Sequence, residues 1–355
     1  MAKIKVFLGG FINYTNAQNL NCRALAKYLN SEIFQVYSLT LEGGKLELPE
    51  KQKNLNLFHC FKPARISIYL GFLWGIWYCD VAYLPKGEVW KWNRFLLKVF
   101  RKKSFSTVEG IIDEIAMKNA LINLDTLHNY IKSRSYFDKQ YSITNYMKNY
   151  NYEKIGLNTD DEILYLGVDS GLFKIKSSER SLSKVLMIGN DLVRKGVYDY
   201  LELASNFPEI TFYLAGSGNG KIDVDSEISH LKLNNVIYKG LVTSDQLKAI
   251  LKETDLHILP SRSEGFPKVT LETAAAGVPS IVYDDYGAQE WITNEVNGWV
   301  VKSVDDMISI INDLKNNTHK LNAVSQEAIK LAQSFDWKIR VKDWEEVIVQ
   351  LYDKN

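Results

Sequence analysis

Two glutamates eight positions apart, Glu264 and Glu272, bracket a Gly265-Phe266-Pro267 turn, and the residues around them suit a ligand that carries both negative charge and hydroxyl groups. Residues 256–259 form a short apolar run that Pro260 ends by removing the next ladder donor, the pattern of a buried parallel strand. Residues 261–264 are then a polar loop at the strand's carboxyl end. Pro267 has the fixed φ favoured at a first helical position, and Val269, Leu271, Ala275 and Ala276 supply an apolar helical face that stops at Gly277, with Pro279 just beyond. A helix beginning at Pro267 offers amide N–H groups and a positive dipole end, for which a diphosphate is the natural guest. Glu264 in the loop and Glu272 inside the helix are poor neighbours for phosphate but good acceptors for sugar hydroxyls, so the stretch asks for a ligand with both.

A buried strand and helix with two solvated glutamates would explain the periodicity but not Glu264-Gly-Phe-Pro in the loop. The run Ser261-Arg-Ser-Glu264-Gly-Phe-Pro-Lys-Val-Thr-Leu-Glu272-Thr-Ala-Ala-Ala-Gly277-Val-Pro279 resembles the donor-site signature of the retaining GT-B glycosyltransferases of family 4, the glycosyl transferases group 1. The resemblance implies an α/β chain with the GT-B fold, two Rossmann-like domains whose parallel sheets face each other across a cleft. It also implies transfer of a hexosyl group from a UDP- or GDP-sugar, with retention of configuration, to a glycan or lipid-linked glycan acceptor. Neither a cofactor nor an obligatory metal is implied, because a helix N-terminus and a lysine can stabilise the leaving diphosphate. On this resemblance Glu264 is catalytic and positions the donor sugar, and Gly265, Phe266 and Pro267 shape the sugar pocket. Glu272 takes the ribose hydroxyls, and Thr270 offers its hydroxyl or amide to phosphate.

Other residues carry the resemblance further. Gly189-Asn-Asp-Leu-Val-Arg194-Lys195-Gly196 follows a strand at 184–188. Relatives place an arginine after the first glycine and a lysine before the last, both reaching the donor's phosphates. Lys195 fits and is the second catalytic candidate, whereas Asn190 holds the arginine position, so Arg194 either supplies the missing charge or points to solvent. A strand at 210–215 runs into Gly216-Ser-Gly218-Asn-Gly220; Gly216 and, after the strand at 236–238, Val242 are implied contacts of the nucleotide. Gly9-Gly10 ends the first strand and either lets a ligand approach the backbone, Gly10 from the donor side and Gly9 from the acceptor side, or makes a plain tight turn. Glu109 stands where many relatives have a histidine near the acceptor, and is either a polar acceptor contact or the first residue of a helix over 111–130, where an acid suits the dipole. Asp223-Val-Asp225 lies on a polar helix start rather than a strand end and is not read as a metal site.

These residues need a scaffold that alternates strand and helix. Strands are expected at 3–8, 32–39, 55–61, 80–84 and 104–108, with helices at 17–29, 66–78 and 88–100, so a parallel sheet follows. Leu164-Tyr-Leu-Gly167-Val-Asp169 resembles a strand at the crossing point between domains, and 174–183 reads as a linker. The expected domains are 1–176 for acceptor, 177–335 for donor, and a helix at 336–355 packing back toward the first.

A chain of 355 residues with 46% hydrophobic content can build two cores. Three scattered cysteines without metal-ligand spacing suit a reducing cytoplasm. The N-terminal apolar stretch is too short for a signal peptide, and the run 66–79 is too short to span a bilayer. The net charge of +1 hides a division: residues 1–176 carry 24 Lys and Arg against 16 Asp and Glu, and 177–355 carry 19 against 26. In the basic half, Trp74, Trp77, Trp90, Trp92, Phe95 and Phe100 interleave with Lys91, Arg94, Lys98 and Arg101-Lys102-Lys103. That composition suits either an amphipathic segment at an anionic membrane surface or two core helices with a solvated basic end. The first choice places the protein peripherally on the inner face of the cell membrane, in lipopolysaccharide or capsule assembly. No nucleic-acid partner is expected, and oligomeric state is not legible. Two other functions fit the same residues: a non-catalytic nucleotide-sugar-binding scaffold, and a nucleotide-sugar epimerase of the same fold.

Overall fold

The computed structural model describes residues 2–48, 53–85, 87, 89–112, 126–173 and 181–353. It divides into two compact units, Met1–Leu166 with Trp337–Asn355, and Gly167–Asp336. The division falls after Leu166, while 176 is the boundary read from the sequence; residues 174–180 of the expected linker lie outside the described residues.

In the first unit the described elements run β1 (Ile4–Phe11), α1 (Ala17–Tyr28), β2 (Phe34–Leu41), β3 (Leu55–Cys60), α2 (Ala64–Tyr78), β4 (Val81–Tyr83), α3 (Trp90–Phe100), β5 (Lys103–Val108), α4 (Leu127–Arg134), β6 (Lys139–Ser142) and α5 (Asn145–Ile155). Its sheet is parallel, in the order β3-β2-β1-β4-β5-β6. The second unit runs β7 (Lys184–Asn190), α6 (Val197–Asn206), β8 (Thr211–Ser217), α7 (Val224–His230), β9 (Val236–Gly240), α8 (Ser244–Glu253), β10 (Leu256–Leu259), α9 (Lys268–Ala275), β11 (Ser280–Tyr283), β12 (Gly298–Val301), α10 (Val304–Asn316) and α11 (Thr318–Ser334). Its order is β12-β11-β10-β7-β8-β9, again parallel throughout. The first sheet as written, and the second read from its other edge, have the same doubly wound order, in which the chain reverses direction of travel beside its first strand. The expected α/β class with two parallel sheets is what the chain forms.

The local reasons are visible in the sequence. Strands buried on both faces must be apolar nearly throughout, and β1, β7, β10 and β11 are. Helix starts carry side-chain caps: Asn16 accepts from the Asn19 amide, Thr144 from Met147, and Thr243 and Ser303 form reciprocal capping boxes with Gln246 and Asp306.

Some expectations shift. β2 begins and ends two residues later than the apolar run suggests, because its ladder to β1 starts at Phe34 opposite Ile4 and its ladder to β3 runs on to Leu41 opposite Cys60. Residues 164–169 form no ladder strand; Ile163 makes an isolated bridge to Ser142 in the first unit and Val168 one to Asp336 in the second. The strand that fills the edge of the first sheet is β6, whose Lys-Gln-Tyr-Ser sequence has little apolar signal. Of the helix expected at 111–130, residues 113–125 lie outside the described residues and α4 begins at Leu127; Glu88, the expected start of α3, also lies outside them.

The last helix, α12 (Trp337–Tyr352), belongs to the first unit. Its Trp344 is fully buried, meets the rings of Tyr83 at 5.2 Å and Phe105 at 6.3 Å, and donates from Nε1 to the Tyr165 carbonyl at 3.2 Å. Glu345 accepts from the Asn30 amide at 2.6 Å. Removing the indole leaves a large cavity and an unpaired carbonyl, so Trp344→Ala should lower stability in denaturant titration by about 3–5 kcal/mol. A loss under about 1 kcal/mol would show that α12 does not help hold the unit together.

Candidate functional site

In the second sheet β7 and β10 lie side by side and the chain leaves them in opposite directions, so a crevice is expected beyond their carboxyl ends. The turn after β7 is tight. Asp191 adopts a left-handed conformation, its carbonyl accepts from the Lys195 amide, and Gly196 sits at φ 84°. A Cβ at Gly196 would lie 1.9 Å from the Pro260 carbonyl oxygen, so only glycine lets this turn press against the end of β10. Gly189 is constrained more mildly. A Cβ there would come within 2.8 Å of Lys195 Cε, because the lysine stem lies across the glycine.

The consequence is that two buried charges meet. Lys195 Nζ stands 2.8 Å from Glu264 Oε1, and both side chains are at least nine-tenths buried. Arg194 reaches the same oxygen at 3.3 Å and donates to the Ser263 carbonyl at 2.5 Å, although its side chain is 44% exposed. Ser261 Oγ ties the two turns together by donating to the carbonyls of Arg194 and Ser263. Both cations converge on Oε1. Of the two outcomes open for Arg194, it lies over the Glu264 loop rather than pointing away into solvent.

His257, buried in β10, is a group the sequence reading passed over; the signal was a histidine inside an otherwise apolar run. Its Nδ1 lies 2.9 Å from Ser280 Oγ, and its Nε2 is buried without a hydrogen-bond partner among the described residues. Burial, and then the nearby Lys195 charge, push the imidazole down to about 3, so the ring is neutral. Tyr286 is a second such group. Its buried hydroxyl has no partner among the described residues, and burial together with the Glu264 charge pushes it far above the usual phenol range.

The other candidates of this unit have varied surroundings. Helix α9 starts at Lys268, so Pro267 is its N-cap rather than its first helical residue, and no side chain caps that end. Glu272 is half-buried in α9; burial raises its carboxyl above the usual range, opposed by Lys268, and its oxygens have no hydrogen-bond partner among the described residues. Thr270 differs from expectation. Its amide and hydroxyl both donate to the Pro267 carbonyl, and its hydroxyl accepts from Trp291 Nε1, so its polar atoms are occupied by the protein. Phe266 is also occupied, its ring set against Trp291 at 4.9 Å and Phe335 at 5.9 Å, so it anchors the loop; Gly265 beside it is partly exposed. Gly216, at φ 133°, makes room for the Gly189 carbonyl, which a Cβ would meet at 1.8 Å, and its own carbonyl accepts from Tyr238. Val242 packs against the cluster of Leu186, Tyr213 and Val278. Asp223 caps α7 by accepting from the Ser226 amide, and no cluster of metal-ligand type occurs among the described residues.

In the first unit, Gly9 and Gly10 lie inside β1, which runs on to Phe11, so neither forms a turn. A Cβ at Gly9 would meet Leu84 at 2.6 Å and one at Gly10 would meet Cys22 Sγ at 2.7 Å; the space next to both is filled by the protein itself. Glu109 follows β5. Its Oε1 accepts from Thr107 at 2.9 Å and Tyr83 at 3.1 Å, while Oε2 is buried without a hydrogen-bond partner among the described residues.

Comparison with known proteins adds three findings. Residues 172–331 match the family model described as glycosyl transferases group 1. The alpha-galactosylglucosyldiacylglycerol synthase of Streptococcus pneumoniae is 31% identical over 131 residues, 35% of this chain and 33% of that protein. The chain spans between a third and two-thirds of the length of the first curated relatives it matches. Among solved structures, sucrose-phosphate synthase from Thermosynechococcus elongatus superposes with a TM-score of 0.79 at 13% identity, over 100% of both chains. Anabaena HepE in complex with UDP superposes at 0.75 and 16% identity, over 98% of this chain and 100% of that one. At those identities the structural likeness is one of fold, the GT-B fold.

The pH dependence of stability tests the environment of His257. Between pH 6.5 and about 3 the unfolded chain binds a proton that the folded chain refuses, so this group makes stability fall on acidification by up to about 1.4 kcal/mol per pH unit. Glu272, with its raised carboxyl, works in the opposite sense just above pH 4.5, and the difference between two proteins cancels it. His257→Gln, which keeps a polar partner for Ser280, should therefore flatten the stability profile between pH 6.5 and 5 relative to wild type. Superimposable profiles in denaturant titrations would contradict the buried, neutral imidazole.

Proposed function

We propose, from the match of residues 172–331 to the glycosyl transferases group 1 family model, that the protein is a retaining glycosyltransferase that moves a hexosyl group from a UDP- or GDP-sugar to a glycan or lipid-linked glycan. The observation that carries this reading is the buried Lys195–Glu264 pair at the carboxyl ends of β7 and β10, beside the N-terminus of α9. Bond cleavage at the donor's anomeric carbon leaves negative charge on the diphosphate. Lys195, Arg194 and the dipole end of α9 are the groups that stabilise it, and because they are fixed before reaction they need not reorganise during it. Three positive elements at one corner account for charge neutralisation without a metal. Glu264 holds both cations through Oε1, which leaves Oε2 to accept a hydroxyl of the donor sugar. Glu272 accepts the ribose hydroxyls.

The UDP bound to Anabaena HepE and the diacylglycerol glycolipid in the streptococcal relative's name support a uridine nucleotide donor and a lipid-linked acceptor. On the acceptor side, Glu109 Oε2 is the buried acceptor atom that an incoming hydroxyl would satisfy. Surface polysaccharide assembly is the setting in which such a reaction is used.

Glu264→Gln and Lys195→Ala should each lower turnover by about two orders of magnitude, measured as nucleoside diphosphate released from a panel of UDP- and GDP-sugars. EDTA should leave the wild-type rate unchanged, and the product anomer should match that of the donor by NMR. Near-normal rates in both variants would reject these roles. Tight donor binding without release, across acceptors, would instead favour a non-catalytic scaffold.

A further inference from the structure

One face of the first unit carries large apolar side chains that are exposed among the described residues. Helix α2 turns Gly71, Phe72, Gly75 and Ile76 inward, with Gly75 so close to β1 that a Cβ would collide with Phe7. Its other side leaves Ile66 58% and Trp77 57% exposed, with Tyr69, Leu70 and Tyr78 exposed between and beside them. An amphipathic helix of a globular protein puts charged residues on that side. Here the one charged residue on α2 is Arg65, at its first turn.

Helix α3 lies against α2 and continues the surface. Its inner positions are Trp90, Asn93, Leu96 and Leu97, and its outward residues are Lys91, Arg94, Phe95, Lys98 and Val99. Phe95 is 56% exposed and Val99 52%. Between the two helices and β3 runs an open groove of about 530 Å³ whose walls include Phe61, Leu70, Trp74, Trp77 and Phe100. Trp77 and Phe100 meet edge to face at 4.8 Å, and Trp92 is fixed by donating to the Tyr69 carbonyl at 3.1 Å, so the aromatic surface is preorganised. Among the described residues from 61 to 102 the one acid is Asp80, and its carboxylate accepts from the Lys5 amide.

We propose that this face is a membrane-docking surface, which seats the first unit on an anionic lipid bilayer. The apolar side chains enter the interfacial layer, and Arg65, Lys91, Arg94 and Lys98 meet lipid phosphates. A second copy of the chain would need carboxylates opposite these cations, and among the described residues of this stretch the one carboxylate, Asp80, is already engaged by the Lys5 amide. The chain has no helix long and apolar enough to cross a membrane among the described residues, so attachment through this face is peripheral. Tyr and Trp at the rim are the residue types that favour the boundary between water and hydrocarbon. This surface is separate from the Lys195–Glu264 site and stands whatever reaction that site performs.

The test is co-sedimentation of the full chain with vesicles of phosphatidylcholine alone and of phosphatidylcholine with one part in three of phosphatidylglycerol. Wild type should bind the anionic vesicles at low salt, bind neutral ones at least tenfold more weakly, and be released by 0.5 M salt, where screening shortens the reach of each charge to a few ångströms (about 4 Å). Arg94→Glu with Lys98→Glu, both surface changes, should weaken binding at least tenfold. Trp77→Ser with Phe95→Ser should do so with the unfolding temperature followed as a control. Failure of wild type to pellet with anionic vesicles at low salt would overturn the proposal. So would wild-type binding by the Arg94 and Lys98 variant, or a dimer of wild type that the Trp77 and Phe95 variant dissociates.

Discussion

The carbonyl of Pro260 leaves no space for a side chain at Gly196, and from this contact the arrangement of the second unit's reactive corner follows. Pressing the turn after β7 against the end of β10 puts an ammonium group 2.8 Å from a carboxylate in a place from which water is largely excluded. Gly189 cooperates by letting the Lys195 stem cross the strand end. Neither glycine touches a ligand in this account, yet both determine where the charge sits.

A buried ion pair is weak evidence for stability, because removing two charges from water opposes folding by several kcal/mol per ion (order of magnitude) before their attraction offsets it. A well-packed apolar pair would hold the two turns together as well. The presence of Lys195 and Glu264, with Arg194 and Ser261 as further ties, is better explained by what the pair does for a ligand. An anion entering this corner meets an ammonium, that of Lys195, whose desolvation was largely completed during folding, so the interaction is stronger than it would be in bulk water. His257 fits the same logic. An imidazole held neutral beside Lys195 adds no further positive charge to those of Lys195 and Arg194 that already share Glu264.

Much of this was legible in the residues. The Leu256–Leu259 strand, the polar loop and the helix after Pro267 follow from local rules about ladder donors and fixed φ, Lys195 beside Gly196 was singled out by the family resemblance, and the two parallel sheets follow from strand and helix alternation. What the chain did not disclose locally were partners distant in sequence. Thr270 looks like a phosphate ligand until Trp291 supplies its hydrogen bond, and Phe266 looks like a pocket wall until Phe335 packs on it. Gly9 and Gly10 have the composition of a ligand-facing turn, but Leu84 and Cys22 occupy the space beside them. β6 escaped notice because Lys139–Ser142 is too short to display an alternation and the residues it buries include the polar Gln140 and Ser142. The amphipathic reading of α2 and α3 left two outcomes open, and exposure of Trp77 and Phe95 decides that these helices are only half core.

The central claim is that a nucleoside diphosphate is held where the Glu264 loop meets the first turn of α9. Amide hydrogen exchange of the full chain, with and without saturating UDP and, in parallel, GDP, tests it most directly. One of the two nucleotides should slow exchange in peptides covering residues 189–197 and 261–272 and leave β12 and α10 unchanged. Protection confined to other segments, or none with either nucleotide at concentrations where binding is seen by calorimetry, would contradict the account.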